Sequence, residues 1–289
     1  MRSIIVAFLL SFSLFAFNFE IVNQNVTNGK TSLIKFKKQK GVDYKAVLIG
    51  KSKFKIFQNP LDKNEYYALI PFSYYAKPAT KEVYIEYKTK VKLKKELIFL
   101  KVVAGDYKKE TITVDSSKVN PTSPKVKKRI AKEYVQAMKI YKTVTPHSYL
   151  RSSFILPLKS KITSEFGKAR VYNGSLKGYH SGTDFRAEVG TPIVAANDGV
   201  VALVEKRFYS GGTVLLNHGE GIYTCYFHMS KFKVKAGEYV KKGEVLGLSG
   251  QSGRVTGPHL HFSARIDGVQ VDPLQLISLV NNNLLEVSE

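Results

Sequence analysis

The sequence predicts a mainly β protein: a C-terminal antiparallel sheet preceded by a small β domain and a linking helix. Three observations predict it. Apolar residues alternate in short runs through the first third of the chain. A proline-rich break then gives way to apolar residues at helical spacing. From Phe154 onward, short apolar runs return with glycine at nearly every turn.

The 289 residues fit about two domains, and 44% apolar content is ordinary for a globular chain. Lys and Arg number 45 against 23 Asp and Glu, a net charge of +22. Such an excess favours anionic partners: wall polymers, lipid headgroups or nucleic acid. No recognition motif or aromatic RNA-binding signature accompanies the charge, so no nucleic-acid partner is expected. Cys225 is the single cysteine, which excludes an intramolecular disulfide and a cysteine-based zinc cluster.

Met1-Arg2-Ser3 followed by the apolar run Ile4 to Phe17 has the form of a secretory leader. The run is shorter than the ~20 residues a membrane span needs. Residues 1–16 are therefore expected to be a signal peptide cleaved after Ala16, although Leu14 is large for the third position back; the alternative is an uncleaved anchor. The mature chain is expected to be exported and to have no stable membrane span.

Residues 17–117 read as the N-terminal β domain. Ala46-Val47-Leu48-Ile49, Tyr66 to Ile70 and Val83 to Tyr87 are strand-like, punctuated by Asn28-Gly29, Asn59-Pro60, Lys77-Pro78 and Gly105-Asp106. This pattern suggests a small sandwich or barrel. Lys90 to Lys95 is too charged for burial and predicts a solvated edge or turn. Residues 118–150 form the linker. Ser123 is placed to cap a helix with Pro124 at its first position. Val126, Ile130, Tyr134, Ala137 and Tyr141 follow on one helical face, predicting a helix over about 124–142. Residues 151–275 make the second β domain, and 276–289 a C-terminal tail.

Five of the six histidines fall in this second domain. On a strand, His259 and His261 project from one face, with Leu260 pointing into the core. Two neighbouring imidazoles suit a metal, or a ligand beside a proton-handling group, although a lone His-x-His is equally a surface pair. His180 and Asp184 offer a nitrogen and an oxygen of the kinds zinc accepts, if Gly182 lets the backbone turn. In the run Ile222 to His228, Thr224, Tyr226 and His228 share a face, and Cys225 points the other way as a buried apolar group. His147 reads as a surface histidine.

Taken together, the stretches Tyr179 to Asp184, Gly190 to Ala196, Asn197 to Val201, Tyr226-Phe227-His228, Thr256 to Phe262 and Val271-Asp272-Pro273 resemble the lysostaphin-type, or LytM-type, zinc metallopeptidases of family M23. The resemblance covers about 154–275. The preceding β domain and helix more loosely resemble the Gram-negative cell-wall endopeptidases of that family.

The resemblance implies one Zn2+ per chain held by His180, Asp184 and His261. It assigns His228 and His259 to proton transfer, and His218 to a structural turn. It also points to a tyrosine for the developing oxyanion, for which Tyr172 is the candidate. Arg170 and Asn173 are candidates for binding substrate carboxylate and carbonyl groups, the alternative being a loop packed by its own polar groups. The implied activity is hydrolysis of the D-alanyl–diaminopimelate cross-link in peptidoglycan peptide stems, with carboxypeptidase trimming of a terminal D-alanine as a related reaction, in cell-wall remodelling and cell-shape control. The implied location is the periplasm, with peripheral association to the inner membrane or wall, and cell-wall or shape-complex proteins as partners. The competing expectation is a non-catalytic LytM-like module that activates a cell-wall amidase; such modules lack the ligands, and this chain keeps them.

Overall fold

The computed structural model describes residues 18–174 and 176–285, and the expected leader at 1–16 lies outside them. The alternating runs of the first third form two sheets. One has four strands, built around Thr31–Lys37 paired with Glu65–Pro71. The other has five strands, built around the long hairpin Ala79–Thr89 and Leu93–Val103. The two pack face to face over Ile34, Phe36, Ile70, Val83, Ile85 and Leu100, so the fold is a sandwich and not a barrel. Alternation explains it: Val83, Ile85 and Tyr87 are buried on one face, while Lys90 to Lys95 at the hairpin end is exposed.

The linking helix runs Pro124–Tyr141 with Pro124 in its first turn. Ser123 stands at the N-cap position but its side chain makes no capping bond. The expected apolar stripe holds only in the second half. Ala137, Ile140 and Tyr141 pack against Leu203, Leu215, Tyr223 and Cys225, whereas Tyr134 is 65% exposed. Glu133 is buried instead. Its carboxylate accepts from Arg129 Nε and from the Phe208 backbone N–H, so a satisfied acid takes the place of the predicted aromatic.

The C-terminal half is built on an eight-stranded sheet. Its centre is the antiparallel series Thr183–Arg186, His259–Ile266, Ile222–Met229, Gly211–Asn217 and Gly199–Arg207. A second, three-stranded sheet of Pro192–Val194, Val245–Leu248 and Lys231–Phe232 covers it.

Two findings depart from the expected boundaries. In and before the expected tail at 276–289, Pro273–Val280 is a helix capped by Asp272, and Leu276, Leu279, Val280, Leu284 and Leu285 enter the main core. Burying five such side chains explains why this segment docks. Nor do the two β regions have separate cores. Leu33, Tyr67 and Leu69 of the first sandwich belong to the same apolar cluster as Phe185, Tyr226 and Phe262. Strand Lys109–Ile112, expected within the N-terminal domain, pairs in parallel with Ala169–Tyr172, which pairs in turn with Leu176–Tyr179.

Candidate metal centre

Register brings the first two groups together. Asp184 lies directly opposite His261 across the pair Thr183–Arg186 and His259–Ile266. Their side chains therefore leave the same face, and His261 Nδ1 lies 2.8 Å from Asp184 Oδ1. His180 arrives from the turn preceding the strand; its Nε2 is 2.9 Å from Asp184 Oδ1 and 2.9 Å from His261 Nδ1. Gly182 is needed for close approach more than for the turn. A Cβ there would lie 2.3 Å from the Phe262 carbonyl oxygen and 2.7 Å from His261 Nε2.

The hydrogen bonds fix the tautomer of His180. Its Nδ1 donates to the Glu165 carbonyl at 2.7 Å, leaving the Nε2 lone pair directed at Asp184 and His261. All three residues are buried, and their ligand-type atoms lie within 4.8 Å of one another. Two imidazole nitrogens and a carboxylate oxygen, converging at one buried point, could hold a metal ion. The donor set fits Zn2+, which takes nitrogen and oxygen ligands and, with three of them, keeps a position for substrate.

Burial pushes the Asp184 carboxyl upward, but its close contacts with the His180 and His261 rings outweigh this and hold it well below the usual carboxylate range. Burial drives the His261 imidazole down to about 4, against the pull of Asp184. A neutral imidazole and an ionised carboxylate are the forms that bind a metal.

His228 and His259 flank this group. Nδ1 of His259 donates to the Gly257 carbonyl at 2.9 Å, and Nδ1 of His228 to the Ser252 carbonyl at 2.8 Å. Both rings thus keep an unprotonated Nε2 when neutral. Their centroids are 4.8 Å apart. Burial, followed by the neighbouring His259 and His261, keeps His228 well below its ordinary value.

Simple alternation does not place His228 correctly. Phe227 is the residue opposite His261, and its ring stacks on that imidazole at 5.4 Å. Tyr226 faces the main core. A regular strand would send His228 the way of Tyr226. Instead its φ is +63°, and the neighbouring ladder shifts register between Gly212 and Val214. The left-handed backbone at the strand end brings His228 beside His259.

The expected substrate residues divide. Tyr172 lines the cleft with His180, His228 and His261, a space of about 150 Å³. Arg170 lines it too, but its guanidinium is committed: Nε donates to Glu110 Oε2 at 3.0 Å, and Nη2 to Ser164 Oγ at 3.1 Å and Asp184 Oδ2 at 3.2 Å. It bridges Glu110 and Asp184. Asn173 is withdrawn from the cleft, because its amide donates to the Val114 carbonyl and accepts from the Val114 N–H. The reason is the parallel pairing of Lys109–Ile112 with Ala169–Tyr172, which sequence spacing does not reveal.

His218 is fully buried and bonded to the Asp198 carbonyl and Thr224 Oγ1, as a structural histidine should be. Cys225 is buried with Tyr141 and Tyr223, on the strand face opposite Tyr226. His147 is exposed and packs edge-on to Tyr149. Glu110, Ser164 and Arg254 lie at the site without having been anticipated, and Phe227 is marked in the sequence only by the stretch Tyr226-Phe227-His228. Of the first three, only Arg254 had a readable signal, five residues before His259 on the same loop.

Residues 178–273 match Peptidase family M23. The chain is 40% identical over 118 residues to Peptidoglycan DD-endopeptidase ShyA of Vibrio cholerae, covering 40% of this chain and 27% of that one. It is 42% identical over 97 residues to DD-carboxypeptidase/endopeptidase Mpg of Neisseria meningitidis, covering 34% of this chain and 22% of that one. The chain thus spans about a quarter of the length of these relatives. A solved Pseudomonas aeruginosa structure described as a peptidase M23 superposes with a TM-score of 0.66 at 24% identity, covering 87% of this chain and 94% of that one. That match extends the shared fold through the N-terminal sandwich. Among the described residues, no helix is long and apolar enough to cross a membrane.

Proposed function

We propose that the chain, whose residues 178–273 match Peptidase family M23, is a zinc-dependent peptidoglycan hydrolase that cuts peptide cross-links between stems, at the D-alanyl–diaminopimelate bond. The reading places it in the periplasm, where a basic protein meets an anionic wall. The observation that carries it is the convergence of His180 Nε2, Asp184 Oδ1 and His261 Nδ1 at one buried point.

In this reading those three residues hold the metal. Zinc, when bound there, supplies Lewis acidity toward a peptide carbonyl and toward water. His259 and His228 move protons: each is fixed by a backbone carbonyl at Nδ1 and uses Nε2, taking a proton from the attacking water and returning it to the leaving amine. Tyr172, at the cleft wall, is the donor for the developing oxyanion. Arg170 orients Asp184 through Oδ2, leaving Oδ1 for the metal.

The N-terminal sandwich reaches the cleft lining through Tyr179 alone among the described residues that line it. Tyr74 stacks on Tyr179 at 4.0 Å with the rings within 2° of parallel, next to His180. Cell-wall and shape-complex proteins are the partners to test on the remaining surface. Mass spectrometry of muropeptides after incubation with the zinc-loaded protein is the direct test. The expected products are monomers released by cleavage at D-alanyl–diaminopimelate. An intact dimer in the presence of bound zinc would overturn the reading and leave a non-catalytic module.

A further inference from the structure

Among the described residues, Arg254 has no acidic partner. Its guanidinium carbon lies 4.3 Å from the ring centre of Tyr172 and 4.7 Å from that of Tyr209. Among the described residues, its side chain makes no ion pair or hydrogen bond. Arg170, the other cation of the same cleft, is taken up by Glu110 and Asp184. The cleft therefore holds one free guanidinium, within the same space as His180, His228 and His261.

Its loop is fixed. The Arg254 N–H donates to the Tyr209 carbonyl at 2.8 Å. Ser252 Oγ donates to the Met229 carbonyl and accepts from the Gly212 N–H. The Ser252 carbonyl in turn holds His228 Nδ1. A Cβ on Gly253 would lie 2.4 Å from the Tyr209 carbonyl oxygen, so the chain passes too close there for any side chain. One short segment thus sets both the proposed proton-transfer histidine and the free arginine.

A guanidinium held between two aromatic faces keeps its edge donors available and loses little freedom when an anion arrives. Two parallel N–H donors match a carboxylate in geometry and charge. We propose that Arg254 is the subsite for a substrate carboxylate flanking the scissile bond, and so makes the enzyme select stems by their acidic groups. The inference rests on the proposed peptidoglycan reading. It moves the carboxylate-binding role expected of Arg170 to Arg254. Two groups on a cross-linked dimer carry this chemistry: the free carboxylate of diaminopimelate and the C-terminal carboxylate of the acceptor stem.

The test compares three dimers: unmodified, amidated at diaminopimelate, and amidated at the stem C-terminus. Each is offered to the full-length zinc-loaded wild type, to Arg254→Gln and to Arg254→Lys, with zinc content measured for each protein. In the wild type, kcat/KM should fall about tenfold for one of the two amidated dimers, the loss lying in KM, and that dimer identifies the carboxylate. In Arg254→Gln, the unmodified dimer should lose about tenfold and the amidation effect should vanish, with zinc content unchanged. Arg254→Lys should restore part of it. No amidation effect in the wild type, or the same effect in Arg254→Gln as in the wild type, overturns the proposal. Calorimetric titration of the same dimers separates this from failure of the hydrolase reading. If the wild type binds without cutting, loss of amidation discrimination in Arg254→Gln still supports the subsite, and its persistence overturns it.

Discussion

Arg170 joins Glu110 to Asp184. Its Nε meets Glu110 Oε2 at 3.0 Å and its Nη2 meets Asp184 Oδ2 at 3.2 Å. A carboxylate from the strand Lys109–Ile112 thus stands behind a candidate metal ligand, through one guanidinium. The arrangement leaves Asp184 Oδ1 toward His180 and His261. Removing the brace should loosen the ligand. Glu110→Gln and Arg170→Gln are expected to weaken zinc affinity by about 10–100-fold, as loss of a group orienting a ligand typically does. Competition with a calibrated chelator measures this. Unchanged affinity in both variants would leave the brace without a role in metal binding.

The five polar residues at the centre of the site should separate into two classes. His180→Ala, Asp184→Ala and His261→Ala should lose zinc and activity together. His259→Ala and His228→Ala should keep zinc while turnover falls by at least ~100-fold, the usual cost of losing acid–base help. Metal analysis of the purified variants decides it. Full zinc occupancy in His261→Ala would contradict the ligand assignment, and metal loss in His259→Ala would mean that the roles of His259 and His261 are exchanged.

Gly182→Ala tests the close approach at the ligand turn. The added Cβ meets backbone and a candidate ligand ring at 2.3 and 2.7 Å. Neither the paired strand at Phe262 nor the buried His261 can move without disturbing the site. We expect a loss of about 1–3 kcal/mol in stability, the usual cost of overpacking, together with weakened zinc binding. Thermal unfolding with and without added zinc reads both. A variant with wild-type melting temperature and zinc affinity would show that the turn has room.

Glu220 gives a pH dependence. Buried in the turn Gly219 to Gly221, its carboxylate accepts a hydrogen bond from Tyr67 Oη of the N-terminal sandwich. Burial raises its pKa from 4.5 to about 7, against the hydrogen bonds from Tyr67 and Ser148. The folded state therefore binds this proton more tightly than the unfolded chain. The contribution to stability is present below pH 4.5 and is lost as pH rises to about 7. Glu220→Gln, which can still accept from Tyr67, should raise stability above pH 7 by up to about 3 kcal/mol, with the gain vanishing toward pH 4.5. Melting temperatures of both proteins across this range check it; a gain independent of pH would assign the effect to something other than the proton.

Deleting the chain before Thr145 should not yield a folded peptidase domain. It removes Leu33, Tyr67 and Leu69 from the core shared with Phe185 and Tyr226, and strips Lys109–Ile112 from the sheet beside the cleft. Burial of such side chains is worth about 1.5–3 kcal/mol each, a large part of ordinary net stability. Expression of the shortened chain as insoluble or non-cooperatively melting protein is the expected outcome. A soluble, sharply melting, zinc-binding fragment would show that the two β regions fold independently.

The sequence alone determined the β class, the linking helix and the identity of the metal-type residues, because these follow from local rules. Alternation sets which strand residues face the core, and proline and glycine punctuate the elements. His259 and His261 share a face by spacing alone, and Cys225 turns away from Tyr226 for the same reason. The M23 stretches lie around Asp184 and His261, where two strands pair residue to residue. Only the tertiary structure decided what non-local pairing controls. The parallel ladder of Lys109–Ile112 with Ala169–Tyr172 set Glu110 against Arg170 and withdrew Asn173 to Val114. The left-handed backbone at His228 overrode strand alternation and brought its ring to His259. Arg254 became the free cation of the cleft because Tyr172 and Tyr209, 82 and 45 residues away in sequence, supply ring faces and no carboxylate. Local periodicity carries no information about a partner that distant; it is chosen by which strands meet and in what register.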